Sequence, residues 1–281
     1  MIIDTHTHFY DPSRPEGVPW PPADNELLYR TVLPERCKAL AEPEGVVGTV
    51  VVEASNRVED NQWILDLAAD EPFIVGFVGN LNPADPDFLK HLERFAANPL
   101  YRGIRIGGGR NIQEIERGAY TAQLEAMTER GLTLDLLVRT PELSAVDDLA
   151  GRLSSLRIVL NHIVHVPIDG NPPDPDWVSG MQAVGRHANV YCKVSALPEQ
   201  AVEQPAPTDP AYYVPTLDAL WGAFGEDRLV YGSNWPVCER AAGYGSMINV
   251  VKEYFGGKGQ EAHRKYFRDN GQAAYRWVER G

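Results

Sequence analysis

The chain opens Met1-Ile2-Ile3-Asp4-Thr5-His6-Thr7-His8-Phe9, an apolar start that turns polar and delivers two imidazoles two positions apart. In an extended strand, residues at i and i+2 share a face, so His6 and His8 point the same way from the C-terminal end of a first strand. A neutral imidazole keeps a free lone pair, which makes it the commonest metal ligand near neutral pH. Two on one face supply two ligands of a divalent site or a pair of proton-transfer groups.

Other residues able to do chemistry recur where apolar runs end. Glu53 follows Val50-Val51-Val52, and Asn161-His162 close a run that begins at Leu156. Arg105 sits in Gly103-Ile104-Arg105-Ile106, just ahead of Gly107-Gly108-Gly109-Arg110. Lys193 lies within Tyr191-Cys192-Lys193-Val194-Ser195, and Gly232-Ser233-Asn234-Trp235-Pro236 follows the last run. Charged side chains in apolar runs are costly unless paired or functional. The planar fork of Arg105 suits a substrate carboxylate. Lys193 reads either as an oxyanion partner or as half of a buried ion pair. The triple glycine is weak evidence for an anion cradle and is more often only a turn. Trp20 and Trp235 are expected to wall a pocket from water. His165 and Asp169 are candidates for its mouth, and Cys238 reads as packing.

Eight apolar segments must position these groups: Ile2–His8, Val46–Ala54, Phe73–Asn80, Arg102–Ile106, Leu132–Val138, Leu156–Ile163, Asn189–Ser195 and Leu229–Asn234. Most are rich in Val, Ile and Leu without strict alternation, as strands buried on both faces are. Helical patterns fall between them. Asp85-Pro86-Asp87 precedes Phe88, Leu89, Leu92 and Phe95; Pro141-Glu142 precedes Leu143, Val146, Leu149 and Leu153; Asp174-Pro175-Asp176 precedes Trp177, Met181 and Val184. Strand–helix units repeated over 281 residues predict one α/β domain, 1–281, folded as a (β/α)8 TIM barrel. A doubly wound open sheet is the runner-up. Catalytic groups of a barrel sit at the C-terminal strand ends, where the residues above fall. Tyr10–Arg36, with prolines at 12, 15, 19, 21 and 22, is expected to form a loop over the barrel mouth. Pro198–Pro215 is a second irregular stretch on the same side.

The chain carries 39 acidic against 26 basic residues, a net charge of −13. That argues against nucleic acid, whose phosphates recruit basic patches. It leaves an anionic small-molecule substrate open, since a few local arginines outweigh a global charge. Three cysteines without close spacing suggest neither a disulfide framework nor zinc. No stretch has the length of a membrane span and no basic leader opens the chain, so no membrane partner and a cytoplasmic location are expected. Assembly into a homo-oligomer stays open.

These motifs together resemble the amidohydrolase superfamily, in the amidohydrolase-related branch that includes sugar-lactone and pyrone-dicarboxylate lactonases. The resemblance covers nearly the whole chain. It rests on Asp4-Thr5-His6-Thr7-His8 with Phe9-Tyr10-Asp11-Pro12, Gly103-Ile104-Arg105, Asn161-His162, Cys192-Lys193-Val194-Ser195, Tyr231-Gly232-Ser233-Asn234-Trp235-Pro236, and Asn270-Gly271 before Tyr275. It implies that His6 and His8 are the family's first-strand histidines and His162 its strand-six histidine. The family usually has Asp where this chain has Asn161 and Asn234. An amide cannot take a proton at neutral pH and ligates metals poorly, though it can position a water.

Three readings of Asn234 follow. The base has moved to Glu53 or a histidine; or the reaction, such as opening an activated ester, needs no strong base there; or only binding remains. With Glu53, the imidazoles of His6, His8 and His162 make an N3O set compatible with zinc. Some relatives of this branch are thought to work without metal. The expected function is hydrolysis of a lactone or similar carboxylate-bearing cyclic ester by an activated water. Arg105, Lys193, Trp20 and Trp235 would bind the substrate; His6, His8, His162, Glu53 and Asn234 would do the chemistry. The alternatives are a decarboxylase on the same scaffold and a degenerate small-molecule-binding barrel.

Overall fold

A computed structural model describes residues 1–280, with the side chain of Arg110 outside the described part. Eight strands run in chain order: β1 Ile2–Thr7, β2 Val46–Val52, β3 Ile74–Gly79, β4 Tyr101–Gly107, β5 Thr133–Leu137, β6 Arg157–Leu160, β7 Val190–Val194 and β8 Leu229–Tyr231. Each pairs in parallel with the next in sequence. Just beyond β8 the chain returns to β1: Asn234 N–H donates to the His6 carbonyl and His8 N–H to the Trp235 carbonyl, both at 2.9 Å. The sheet thus closes on itself, and the predicted (β/α)8 barrel is the fold. The doubly wound alternative has no such return.

Eleven α-helices are described: α1 Pro34–Ala41, α2 Asp60–Asp70, α3 Phe88–Ala96, α4 Arg110–Glu116, α5 Thr121–Glu129, α6 Leu143–Arg152, α7 Pro175–Gly185, α8 Val214–Phe224, α9 Tyr244–Gly257, α10 Gln260–Arg264 and α11 Asn270–Tyr275. Local chemistry explains their starts. Asp174 accepts from the N–H groups of Asp176 (2.8 Å) and Trp177 (3.3 Å), and Pro175, which lacks an N–H to leave unpaired, opens α7. In α3, Phe88, Leu92 and Phe95 are buried against the sheet. Leu89 departs from the expected face and is half exposed, because it lies 100° of helix rotation from Phe88. In α6, Leu143, Val146 and Leu149 are buried as the spacing requires. No helix among the described residues is long and apolar enough to cross a membrane.

Two features of the fold set the site. All six residues of β1 are buried, so His6 stands inside the barrel rather than on its rim. The Tyr10–Arg36 segment folds back over the mouth, tied by Tyr10 and Val32 through reciprocal backbone bonds of 3.0 and 2.9 Å. Its Trp20 ring lies 5.9 Å from the His8 ring.

Gly232, just past the end of β8, packs against β1. A Cβ there would lie 2.7 Å from Cβ of His6 and 3.2 Å from Cδ of Lys193. Gly232→Ala is therefore expected to destabilise the protein by about 1–3 kcal/mol, the usual cost of overpacking. Urea denaturation checks this; an unchanged midpoint would show that β8 can yield without cost.

Candidate active site

Three imidazoles meet at the C-terminal end of the barrel. The His6 ring centroid lies 5.0 Å from that of His8 and 4.5 Å from that of His162. His8 and His162 line a cavity of about 760 Å³, inside the roughly 300–1,000 Å³ range of small-molecule sites. His6 is fully buried beneath them. The wall is completed by Pro19 and Trp20 from the proline-rich loop, Glu53 to Asn56 after β2, Arg105 of β4, and His165. The segment after β7 adds Glu199, Gln200 and Gln204, and the chain beyond β8 adds Asn234 and Arg240.

Each ring is held by a specific partner. Nδ1 of His8 lies 2.9 Å from the Val52 carbonyl, which can only accept, so this nitrogen carries the proton. Nε2 of His8 lies 3.3 Å from Oδ1 of Asn234. Nδ1 of His162 lies 2.9 Å from the Ser195 hydroxyl. Nδ1 of His6 faces Nζ of Lys193 at 3.3 Å, while its buried Nε2 has no partner among the described residues. Burial and the neighbouring Arg105 bring the His8 pKa down to about 3. Burial first, with Lys193 for His6 and His165 for His162, holds the other two well below the usual histidine range. All three rings are therefore neutral at physiological pH.

His162 is carried by an unusual backbone. β6 stops at Leu160, two residues before His162. His162, Ile163, Val164 and His165 then adopt φ of 54°, 47°, 59° and 57° in succession. Left-handed backbone is rare for β-branched residues, and each such residue costs of the order of 1–3 kcal/mol. The turn is pinned from outside by Trp177, whose Nε1–H donates to the Ile163 carbonyl at 3.0 Å. Ala196 (φ 54°) and Asn234 (φ 63°), both on the cavity wall, share this conformation. Strain of this kind collects where a fold must aim side chains at a ligand.

Glu53 does not join the histidines as a free carboxylate. Its Oε1 accepts from Nε of Arg105 at 2.8 Å and its Oε2 from the Ser55 N–H at 2.9 Å. Nη2 of Arg105 also donates to the Glu53 backbone carbonyl at 2.8 Å. Among the described residues, no three His, Cys, Asp or Glu side chains are arranged to hold a metal ion. The Lys193 amine, paired with Asp135 at 3.0 Å, donates to Nδ1 of His6 and so places the ring proton on Nε2, where a ligand would need a lone pair. The expected N3O zinc set of His6, His8, His162 and Glu53 therefore does not fit this arrangement.

Two residues expected to touch substrate do not line the cavity. Lys193 is fully buried, bonded to Asp135 and His6; the strand's alternation points it inward, but below the floor. Trp235 is also fully buried, packed against Phe9 with ring centroids 6.2 Å apart, and its Nε1–H donates to Glu239 at 2.9 Å. Asp169 is exposed, whereas His165 is on the wall as expected. Glu199 and Ser195 carry the most consequence among residues the sequence reading passed over. Glu199 sits in a proline-rich stretch without periodicity, where only its place after the seventh strand could have pointed to it.

A family model described as amidohydrolase matches residues 3–277. The chain belongs to the amidohydrolase family. Among its relatives, an L-fucono-1,5-lactonase of Burkholderia ambifaria is 31% identical over 245 residues, covering 86% of this chain and 83% of the relative. An L-fucono-1,5-lactonase of Burkholderia multivorans is 27% identical over 268 residues, covering 90% and 88%. A crystal structure of a Burkholderia multivorans amidohydrolase with bound zinc superposes with a TM-score of 0.86 at 24% identity, over 99% of both chains. At that identity the likeness is one of fold.

The buried Lys193–Asp135 pair beneath the rings sets a testable cost. Lys193→Met leaves the Asp135 carboxylate buried without its counter-charge and is expected to cost about 3–5 kcal/mol. The double variant Lys193→Met/Asp135→Asn should recover much of that. Equilibrium unfolding in urea measures both, and a single-variant loss under about 1 kcal/mol would mean the pair is not what holds this layer.

Proposed function

We propose that the chain hydrolyses a small polar lactone, adding water across the ring ester of a sugar-acid-like substrate. One observation carries this reading: two neutral imidazoles and a half-paired arginine converge on a single cavity of small-molecule size. The names of the two lactonase relatives support it. A lactone carbonyl needs a hydrogen-bond donor as charge develops on its oxygen, and a positioned water on its other face. In this reading the Ser195 hydroxyl, which can donate or accept, donates to Nδ1 of His162 at 2.9 Å, so that the ring proton sits on Nε2 and serves as that donor. His8, with its proton committed to Val52, presents a lone pair at Nε2 that accepts from the water.

Glu53 fixes the Arg105 fork through Nε and Nη2. Nη1 of Arg105, without a partner among the described residues, is left for a substrate oxygen. Ser55, Asn56, Gln200 and Gln204 on the wall suit the hydroxyls of a sugar acid. The substrate class is thus a hydroxylated lactone, and a carboxylate on it would meet Arg105. Three buried, unpaired cysteines agree with a reducing, cytoplasmic setting.

A divalent ion has support from the bound zinc of the structural neighbour, but the donors here do not form its site. Each step above therefore runs on the chain's own side chains. None of them yet takes the water's proton. With conjugate acids held far below neutrality, His8 and His162 are weak bases.

A panel of aldonic 1,4- and 1,5-lactones, followed by acid release with a pH indicator, tests the reading. Turnover of at least one member is expected, and His8→Ala should lower it by at least about a hundredfold. Turnover unchanged by that substitution would remove His8 from the chemistry. Dialysis against a chelator, checked by metal analysis, should leave more than half the activity. A large loss restored by added zinc would overturn the metal-free arrangement.

A further inference from the structure

We propose that Glu199, held by Asn234 at the wall of the cavity, is the base that takes the proton from the attacking water. This rests on the lactone-hydrolase reading above. Glu199 lies on the short turn Pro198–Gln200 after β7 and lines the same cavity as His8 and His162. Its Oε1 accepts from Nδ2 of Asn234 at 2.7 Å. Its Oε2 is buried without a hydrogen-bond partner among the described residues, an expensive state for a carboxylate oxygen unless a ligand or water completes it. Among the described residues the other carboxylate on this wall, Glu53, has both oxygens engaged.

The amide between Glu199 and His8 makes the arrangement specific. Asn234 has one donor end and one acceptor end, and each faces a different titratable group. When Glu199 is ionised, the NH2 end must face it. His8 then meets the amide oxygen with a bare Nε2, two acceptors at 3.3 Å, which a water donating to both would satisfy. When Glu199 is protonated, a turned amide accepts from the acid and donates to Nε2. The amide thus allows either charge state of the carboxyl while His8 stays neutral. An aspartate at 234 would instead set two carboxylates in contact.

The electrostatic surroundings keep the group in working range. Burial raises the Glu199 carboxyl to about 7, and the Asn234 hydrogen bond and Arg240 pull the other way. Arg240 and Cys238 face it from the turn after β8, Tyr213 from the start of α8, and His8 lies beyond Asn234. A base whose pKa lies near the operating pH combines a populated ionised form with proton-transfer driving force.

The step balances without another reactant. The Glu199 carboxylate takes one water proton as the water oxygen bonds to the lactone carbonyl carbon, and the carbonyl π pair moves onto its oxygen. Collapse of that adduct reforms C=O and breaks the ring C–O bond. The ring oxygen leaves with the proton held by Glu199, giving a hydroxy acid and the starting carboxylate.

The test compares kcat and KM against pH for the intact protein, Glu199→Gln, Glu199→Asp and Asn234→Ala on the lactone that the panel finds best. For the intact protein, kcat/KM should rise through about pH 7 as Glu199 loses its proton. Glu199→Gln, close in shape, should lose at least about a hundredfold in kcat with KM within about threefold, and its acid limb should vanish. Glu199→Asp should restore part of the rate and the limb. Asn234→Ala should move the limb to higher pH, because the hydrogen bond that favours the carboxylate is gone. Circular dichroism and thermal melts establish that each variant is folded. Full activity or an unchanged limb in folded Glu199→Gln overturns this assignment alone. Absence of lactone turnover in the intact protein overturns the functional reading and this base with it.

Discussion

The top of the barrel depends on one buried carboxylate, Asp135 of β5. It is wholly removed from water and satisfied by three donors: Nζ of Lys193 at 3.0 Å, Nδ2 of Asn161 at 2.9 Å and the Tyr275 hydroxyl at 2.9 Å. A charge in such a place is tolerable only with a counter-charge and full hydrogen bonding. The consequence reaches the cavity through Lys193, whose ammonium touches His6 and helps hold that ring neutral. Neutral rings, in turn, can sit within 5 Å of one another without repulsion. The site's geometry is thus carried by an ion pair that substrate never meets.

Much of this was legible in the residues, for reasons that can be stated. β1 to β8 are buried on both faces, so each leaves an apolar run, and a parallel barrel is what eight such runs with helices between them build. His8, Glu53 and Arg105 could be placed on the cavity wall because strand ends are where a barrel exposes side chains. Depth was not legible. Period-two alternation says that Lys193 faces inward, but not whether inward means cavity or floor. Trp235 has the same ambiguity, since a large ring beside a strand end packs equally well on either side of the wall.

The turn at His162 was hidden for a different reason. Ile163 closes the run read as a strand, and both it and the next residue, Val164, are β-branched, yet they take a left-handed conformation that their side chains disfavour. Local preference is overruled there by tertiary contacts, among them the Trp177 bond to Ile163. Glu199 was hidden because a proline-rich loop has no period to read. Its placement comes from β7 and β8, which bring Pro198–Gln200 and Val237–Arg240 together over the mouth.

The two asparagines then have one explanation. Where the resemblance led us to expect Asp, at 161 and 234, each amide donates to a carboxylate from another part of the chain: Asn161 to Asp135, Asn234 to Glu199. An aspartate at either position would bring two carboxylates within hydrogen-bond distance, where both cannot be ionised. The amides therefore follow from where the acids stand. What separates the two pairs is satisfaction. Asp135 has donors on both oxygens and no access to the cavity. Glu199 has one donor, one bare oxygen and a place on the cavity wall. The same chemical pairing serves as scaffold in the floor and, where a partner is missing, as a reactive group at the mouth.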